Sequence, residues 1–484
     1  METDSTVPTR ADDSLQEFRE ATEGEPVSEG PDELDGLTGL SIELPAQTEY
    51  CCPGERHSIP RSVHLSRLAA FYPSCRECQH RTDTGQLPQT TVERIQQVER
   101  RVAEKQTVFQ LNGVRGVFMN QLTPGLAARI ARTFAAQLWS ELPLTGSLTG
   151  TNKRRTAPPG PAIVVGYDER PSSPAVLAAV VDQLRIMGCQ VLSVGLVSRP
   201  CFAFAVDHLQ SPGGIFVTGS GYDASWAGLD LSVEGALPLS LDTGLQELET
   251  DSSQPAPRPT RSAGFQRSFQ PLLPYEAGLW KHFHALRPLH VVTAVRPRTV
   301  RRTLRKLFAR LPCRLSEVET ETSPTSRLKL EALRNRIERR ITQRSAHLGI
   351  LIDDDGSRCE FFNELGEQIS QDAISIFLAR IIRSELPRAG LVVDNSLFRE
   401  NPVHETSSLS DAVRADGSAG SVARAMLHTK AVLGIERNDR YWFRENYPAC
   451  DAVLALGRVL QGLSQSDAAC STRIDFSTGD SDHR

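Results

Sequence analysis

The 484-residue sequence lacks any apolar run long enough to span a membrane, and its acidic beginning lacks the basic and apolar regions of a secretion signal. It also lacks an excess of basic residues, because the formal net charge is −5, so no general attraction to nucleic acid is expected. Ten cysteines are too few to make a disulfide scaffold in a chain of this length. We therefore expect a cytoplasmic protein that binds neither a membrane nor nucleic acid.

Two segments depart from the ordinary globular composition of the chain, which is 39% hydrophobic and 23% charged. Residues 1–48 carry many Asp and Glu but only Arg10 and Arg19 as bases, so they cannot bury enough surface to fold alone. Residues 466–484 are mostly polar as well. We expect a disordered acidic tail at 1–48 and a polar tail at 466–484, with several domains of about 100–200 residues between them.

Four of the ten cysteines fall in the short segment 49–85. Cys75 and Cys78 form a C-x-x-C pair, which can present two thiolates to one tetrahedral metal ion. The candidates for the other two ligands are Cys51, Cys52, His57 and His80. One of the two adjacent cysteines would supply the third ligand, and the identity of the fourth stays open.

A redox pair or a coincidence is the alternative to zinc, since the adjacent Cys51 and Cys52 do not have the usual two-residue spacing. A structural zinc ion is favoured because so short a segment has few other means of holding a fold. We predict a zinc-ribbon-like module at 49–85, available to a protein partner, and a connecting helix at 86–106.

From residue 107 onwards, short apolar strands alternate with amphipathic helices, which is typical of an α/β fold with parallel strands. The predicted strands lie at 162–166, 191–195, 215–217, 290–294, 348–352 and 390–394. The predicted helices lie at 175–188, 201–209, 330–341, 374–382 and 452–460. A proline-rich linker is predicted at 251–262. The basic run from Arg296 to Lys306 shares a helix with the apolar Val300, Leu304 and Phe308, so a solvated helix face explains it better than nucleic-acid binding.

The segment from Gly213 to Leu231 is the most informative part of the chain. Its apolar strand runs into Ser220, which is flanked by Gly219 and Gly221, and two glycines allow the backbone to turn sharply. Strand ends at the edge of open α/β sheets are where such folds place their chemistry. We therefore expect Ser220 to be an exposed hydroxyl that carries a phosphoryl group.

Six segments carry motifs in a characteristic order and spacing. They are Phe109–Gly116, Leu122–Pro124, Gly166–Pro174, Thr218–Ser220, Asp353–Arg358 and Gly434–Arg440. Together they resemble the alpha-D-phosphohexomutases, the family of phosphomannomutases and phosphoglucomutases. The resemblance covers about residues 107–465 and implies three consecutive phosphohexomutase-type α/β/α domains with mixed or parallel sheets, at 107–250, 263–370 and 371–465. The family's fourth domain, which clamps the distal phosphate, is expected to be absent.

The resemblance also implies a reaction and a set of site residues. In this family a phosphorylated serine exchanges its phosphoryl group with either end of a hexose phosphate, while Mg²⁺ neutralises the charge. By position, the magnesium ligands would be Ser220, Asp353 and Asp355. Ser220 would also be the catalytic phosphoryl carrier, with Arg115 as the cation beside it. The substrate-binding residues would be Arg358, Glu436 and Asn438.

Several positions depart from the family pattern. The family's lysine is Asp230 here, its third loop aspartate is Ser357, and the histidine of its sugar loop is Arg440. Its His-Asn-Pro after the serine is replaced as well, by the segment 221–223. We therefore expect weak or lost Mg²⁺ binding and little or no turnover, with the protein acting as a sugar-phosphate-binding or regulatory relative. The alternatives are a functional divergent phosphomannomutase or phosphoglucomutase, and a scaffold that acts through the zinc module.

Overall fold

The computed structural model describes residues 49–52, 57–70, 72, 75, 78–93, 107–141, 160–255, 258–320, 327–353, 355–400, 408–446 and 449–474. The predicted acidic tail lies outside these residues, as do most of the predicted connecting helix and the last ten residues of the predicted polar tail. The chain divides into two compact units, residues 1–106 and residues 107–484. No helix within the described ranges is long and apolar enough to cross a membrane.

The described residues of the first unit include a short antiparallel strand pair and a nine-residue helix. These elements are β1 (Glu49–Tyr50), β2 (Ile59–Pro60) and α1 (Arg61–Ala69). The Tyr50 ring stacks on the buried His64 of α1, with ring centroids 4.2 Å apart. Cys52 and Cys78 are buried beside Tyr50, and their Sγ atoms are 3.9 Å apart. The core of this unit is therefore built from aromatic and sulfur-bearing side chains.

The second unit begins with an eight-stranded sheet. Its strands are β3 (Phe109–Gln110), β4 (Gly113–Val117), β5 (Ala162–Tyr167), β6 (Gln190–Leu196), β7 (Gly213–Val217), β8 (Trp226–Val233), β9 (Leu237–Pro238) and β10 (Gln266–Ser268). The spatial order is β10-β6-β5-β7-β8-β4-β3, with β9 paired to β8. The first four strands in this order are parallel and the others antiparallel, so the sheet is mixed. Every residue of β7 is buried, as its apolar run predicts.

Four helices accompany this sheet. They are α2 (Pro124–Glu141), α3 (Ser173–Ile186), α4 (Arg199–His208) and α5 (Leu245–Ser252). The buried residues of α3, Val176, Val180 and Leu184, recur at the helical period, which gives the helix one apolar face. The helices predicted at 175–188 and 201–209 are confirmed. The predicted linker at 251–262 begins inside α5.

A second sheet of five strands follows, accompanied by three helices in the part of the chain that the structure describes. Its elements are α6 (Leu272–Trp280), β11 (His290–Val295), α7 (Arg298–Phe308), β12 (Arg314–Glu317), α8 (Arg327–Arg344), β13 (Leu348–Ile352), β14 (Cys359–Phe362) and β15 (Gln368–Ile369). The strand order is β12-β11-β13-β14-β15, parallel for the first three and antiparallel thereafter. Val300, Leu304 and Phe308 of α7 are buried, which confirms that this basic helix has an apolar inner face.

A third sheet, also of five strands, repeats this plan. Its elements are α9 (Gln371–Glu385), β16 (Leu391–Asp394), α10 (Asn395–Glu400), β17 (Val413–Ala415), α11 (Ala419–Thr429), β18 (Leu433–Glu436), β19 (Arg440–Phe443), β20 (Ala449–Cys450), α12 (Ala452–Ser464) and α13 (Cys470–Ile474). The strand order is β17-β16-β18-β19-β20. The helix α13 was not predicted. It lies in the segment assigned to a polar tail, yet Cys470 and Ile474 are buried.

Candidate active site

Ser220 lies on the turn that follows β7. A side chain at Gly219 would place its Cβ 2.4 Å from the Trp226 carbonyl oxygen, and Gly221 adopts a φ of 87°, so both positions require glycine. The Tyr222 N–H donates to the Gly219 carbonyl, which folds the chain back at once. Ser220 is consequently only 5% exposed. The glycine-flanked turn is confirmed, whereas the prediction that Ser220 is exposed is wrong.

A buried ion pair holds the loop after Ser220. Arg170 Nη1 donates to the Asp223 carbonyl at 2.6 Å, and its Nη2 donates to the Tyr222 carbonyl at 2.8 Å. Arg170 Nε lies 3.4 Å from Asp168 Oδ2, which also accepts the Gly219 N–H at 3.3 Å. Burial raises the pKa of Asp168 above its ordinary value, against hydrogen bonds that lower it. The pair fixes the backbone of the serine loop without using any side chain of that loop.

Arg115 and Arg199 both contact Asp230. Arg115 Nε lies 3.4 Å from the Ser220 carbonyl oxygen, which places this cation beside the serine as the resemblance implies. Its Nη2 lies 2.6 Å from Asp230 Oδ1, and Arg199 Nε lies 3.1 Å from Asp230 Oδ2. The side chains of Asp230 and Arg115 are under 10% exposed. The buried Asp230 carboxylate is therefore matched by two guanidiniums.

The loop between β13 and β14 carries the predicted magnesium ligands. Asp353 Oδ1 accepts the N–H groups of Gly356 at 3.1 Å and Arg358 at 3.3 Å. Asp355 Oδ1 accepts the N–H of Ser357 at 2.8 Å and its hydroxyl at 2.6 Å. Asp354 lies outside the described residues. Both named carboxylates therefore support the turn of their own loop.

Asp355 is 2% exposed, and it remains ionised because of its surroundings. Burial alone would raise the pKa of Asp355, but the guanidiniums of Arg440 and Arg199, with the hydrogen bonds from Ser357, hold it well below its ordinary value. The Arg199 N–H also donates to the Asp355 carbonyl at 2.9 Å. Arg199 thus connects α4 to the Asp353–Arg358 loop, both by a backbone hydrogen bond and by the charge of its guanidinium.

Glu436, at the end of β18, points into the protein. Its Oε2 accepts the indole N–H of Trp442 at 3.0 Å, and its Oε1 accepts the Asn112 amide at 3.4 Å. Arg440 Nη1 lies 3.6 Å from the same Oε1. Glu436 is 3% exposed, and its two carboxylate oxygens face these internal partners. The predicted sugar-hydroxyl acceptor is therefore engaged within the fold.

The turn after Glu436 presents polar groups beside Arg358. Asn438 and Asp439 adopt left-handed backbone conformations, with φ values of 62° and 57°, which these two residue types tolerate better than most. Burial raises the pKa of Asp439 to about 6, although Arg358 opposes the shift. Arg358 Nη2 donates to Glu360 Oε1 at 2.6 Å, and about a third of the Arg358 side chain remains exposed.

These loops border a cleft of about 370 Å³. Its walls include Tyr222, Asp223, Asp353, Arg358, Asn438 and Arg440. Tyr222 is 38% exposed and stacks on Trp226, with ring centroids 4.3 Å apart and an interplanar angle of 18°. The cleft thus combines guanidiniums with the carboxylates of Asp223, Asp353 and Glu360, an amide and an aromatic face, so a ligand with an anionic group and hydroxyl groups finds both donors and acceptors there.

Comparisons with known proteins agree with the family resemblance of the sequence. Residues 106–254 match the family model described as phosphoglucomutase/phosphomannomutase, alpha/beta/alpha domain I. Phosphohexose mutases of Xanthomonas campestris are 25% identical over 375 residues, covering 76% of this chain and 79% of the relative. A phosphomannomutase of Salmonella typhimurium is 25% identical over 362 residues, covering 72% and 75%. The chain is therefore similar to the alpha-D-phosphohexomutases over most of its length, and residues 106–254 match the domain I of that family.

Solved structures show the same fold. A phosphoglucomutase/phosphomannomutase family protein from Burkholderia thailandensis superposes with a TM-score of 0.63 at 22% identity, covering 76% of this chain and 79% of that one. A putative phosphomannomutase from Thermus thermophilus gives a TM-score of 0.60 at 17% identity, covering 76% and 82%. The α/β domains of this phosphohexomutase relative are therefore arranged as in known family members.

The loop at which a phosphohexomutase is expected to hold Mg²⁺ does not suit a hard divalent cation in this chain. Two alternating carboxylates, Asp353 and Asp355, are followed by the Ser357 hydroxyl, which donates to Asp355. The guanidiniums of Arg199 and Arg440 act on the same carboxylate and would repel a cation. Across the described residues, no three His, Cys, Asp or Glu side chains are grouped closely enough to hold one metal ion.

Sequence reasoning missed Arg199 and gave no role to Asp168 and Arg170. Arg199 opens α4 and belongs to none of the matched motifs, so its only signal was the unexplained carboxylate at Asp230. Asp168 and Arg170 lie within the matched Gly166–Pro174 segment, but their function in holding the serine loop depends on backbone carbonyls. A contact to a backbone carbonyl does not depend on the side chain of the accepting residue, so the sequence does not reveal it.

The cysteine-rich unit brings together two of the four predicted zinc ligands. Cys52 and Cys78 lie 3.9 Å apart through their sulfurs, whereas Cys75 is buried separately beside Leu68 and Cys51 is exposed. Burial, with the neighbouring Cys78 thiol, raises the pKa of Cys52 to about 11. Residues 53–56, 76 and 77 lie outside the described ranges. The zinc site stays a prediction.

Proposed function

We propose that this family member binds a hexose phosphate and does not interconvert hexose 1-phosphate and hexose 6-phosphate. The observation that carries the proposal is the Asp230 carboxylate, which pairs with Arg115 and Arg199 at the position of the family's lysine. Phosphoryl transfer depends on cations that stabilise the charge of the phosphoryl group in the transition state. Arg115, the cation beside Ser220, is held by an internal carboxylate instead, so transfer loses that stabilisation.

Binding is supported by the cleft. Its volume of about 370 Å³ lies in the range of small-molecule sites. Arg358 and Arg440 would face the phosphate, the Asn438 amide would bond sugar hydroxyls, and the exposed Tyr222 ring would lie against the sugar. Titration calorimetry with glucose 6-phosphate and with unphosphorylated glucose separates these contributions. We expect Arg358→Gln to weaken glucose 6-phosphate binding and the exposed control Arg185→Gln to leave it unchanged.

The turnover test is a coupled assay of glucose 1-phosphate conversion with magnesium and a bisphosphate activator. We expect no appreciable rate from the unmodified protein. We also expect Asp230→Lys with Ser357→Asp to remain far below family rates, because Glu436 is still engaged by Trp442 and Asn112. A bound glucose 6-phosphate with no turnover supports the proposal, whereas no binding of any hexose phosphate contradicts it.

The divergent-enzyme alternative has one observation in its favour, which is the intact support of Ser220. Thr218 Oγ1 accepts the Ser220 N–H, and the glycine turn is preserved. Mass spectrometry of the purified protein for phosphate on Ser220 addresses this alternative directly. A rate of about 1–1000 per second that Ser220→Ala abolishes would establish the enzyme and reject the binding proposal.

The scaffold alternative depends on the cysteine-rich unit. We propose one structural zinc ion bound by Cys75, Cys78 and one or both of Cys51 and Cys52, supported by the 3.9 Å separation of the Cys52 and Cys78 sulfurs. Such an ion would hold together a unit with little other core and present it to a protein partner. Metal analysis below about half an equivalent of zinc, with Cys75→Ser as stable as the parent, would end this hypothesis.

A further inference from the structure

Four carboxylates of the second unit lie near Arg199 or Arg440. They are Asp230 of the first domain, Asp353 and Asp355 of the second, and Glu436 of the third. Three of them are at most 6% exposed, and buried carboxylates require nearby cations to remain ionised. The identity of those cations decides what these carboxylates bind.

Arg199 supplies the first cation. Its Nε lies 3.1 Å from Asp230 Oδ2, and its backbone N–H donates to the Asp355 carbonyl. An arginine side chain stays protonated at every working pH, so this guanidinium is always charged. Arg199 therefore bridges two domains as a permanent cation.

Arg440 supplies the second cation from the third domain. Its Nη1 lies 3.6 Å from Glu436 Oε1, and its side chain is 18% exposed on the wall of the cleft. Arg440 lines that wall together with Asp353 and Arg358, and as an arginine it stays protonated. Arg440 Nε is buried without a hydrogen-bond partner. Arg440 therefore reaches from the buried Glu436 to the wall of the cleft.

We propose that Arg199 and Arg440 replace the divalent cation of this site, so that the carboxylate cluster is assembled by internal guanidiniums and the cleft accepts a phosphate ester without a metal ion. Two positive charges supplied by side chains match the charge of one divalent cation. They are also fixed by the fold, since Arg199 enters from α4 and Arg440 from β19. The identity of the ligand rests on the proposed function, whereas the replacement of the metal does not.

The metal arm of the test uses the whole protein and Mn²⁺, whose free ion is counted by electron paramagnetic resonance. The parent protein is expected to take up no Mn²⁺ at concentrations up to about 1 mM, the weak end of protein sites for hard cations. Arg440→Gln exposes the carboxylates and is expected to raise Mn²⁺ affinity about tenfold or more. Adding Asp355→Asn to that variant removes the gain, and the surface control Arg185→Gln produces none.

Two results would overturn the replacement. One is micromolar Mn²⁺ binding by the parent that Asp355→Asn abolishes. The other is a folded Arg440→Gln protein, verified by thermal unfolding, with no gain in Mn²⁺ affinity. If Arg440→Gln does not fold, Arg199→Gln is tested instead, with the same expected gain in Mn²⁺ affinity. If neither variant folds, Mn²⁺ uptake by the parent protein decides whether the proposal stands.

The ligand arm compares glucose 6-phosphate binding in EDTA and in magnesium. Equal affinity in both buffers supports metal-free binding, and a tenfold or greater loss in EDTA contradicts it. Absence of binding in both buffers would reject the proposed function instead, while the Mn²⁺ measurement would still decide whether the arginines replace the metal. The two failures are therefore distinguishable.

Discussion

The loop after β7 and the turn after β18 both follow buried strands and both retain a key residue of the family, yet they treat that residue differently. Ser220 lies on a turn whose backbone is fixed by Arg170 and two glycines. Glu436 keeps its identity but gives both carboxylate oxygens to Trp442, Asn112 and Arg440. A retained residue type is therefore evidence of function only when its reactive atoms still face the site.

The difference has a physical cause. Ser220 is supported by contacts to backbone atoms, which survive changes in neighbouring side chains. Glu436 is surrounded by side chains, and a buried carboxylate accepts whatever donors its neighbours provide. Arg440, in place of the family's histidine, adds a charged donor next to it. Asp230 is a third case. The resemblance implies a lysine at this position, and the carboxylate found there pairs with the side chains of Arg115 and Arg199.

The largest expected effect is at Asp230. Asp230→Asn leaves Arg115 and Arg199 buried without their counter-ion, which is expected to lower the free energy of unfolding by about 3–5 kcal/mol. Urea denaturation measures the change. The control Asp182→Asn removes a carboxylate that is 72% exposed and is expected to change stability by less than about 0.5 kcal/mol. An Asp230→Asn protein as stable as this control would show that the pairing is not structural.

A smaller effect is expected at Glu436. In Glu436→Gln the amide N–H₂ must face one of three donors, so we expect a loss of about 1–3 kcal/mol in the free energy of unfolding. We also expect glucose 6-phosphate affinity to stay unchanged where the variant is folded. Unchanged stability with a large loss of sugar-phosphate affinity would instead return Glu436 to the substrate-binding role that the resemblance implies.

The sequence was sufficient to predict six buried strands, β5, β6, β7, β11, β13 and β16, but it missed others, such as β8 and β18, and it did not reveal the charge network. A short apolar run such as Leu348–Ile352 is typical of a strand in a covered sheet. The structure confirms this strand, and every residue in it is buried. The pairing of Arg199 with Asp230 joins a helix start to a mid-strand position, and no local pattern encodes it. The exposure of Ser220 was predicted wrongly because glycines specify a turn without specifying what the following residues cover.

The smallest expected effect is a pH-dependent gain at Asp439. Burial raises the pKa of its carboxyl to about 6, above the ordinary 3.8, so folding at neutral pH keeps a carboxylate charged in a place that disfavours the charge. The folded state takes up the proton first as the pH falls, so this group's contribution to stability rises from pH 7 towards pH 4. Asp439→Asn removes the charge and tolerates the left-handed backbone at this position.

We therefore expect Asp439→Asn to raise the free energy of unfolding by about 1–2 kcal/mol at pH 7 and by almost nothing at pH 4. Urea denaturation of parent and variant at both pH values measures the difference. Asp355, whose lowered pKa makes both proteins lose stability in acid, is present in each and cancels from the comparison. A variant less stable than the parent at pH 7 would mean that the Asp439 carboxylate stabilises the fold through Arg358, 3.9 Å away, as Asp230 does through its own two arginines.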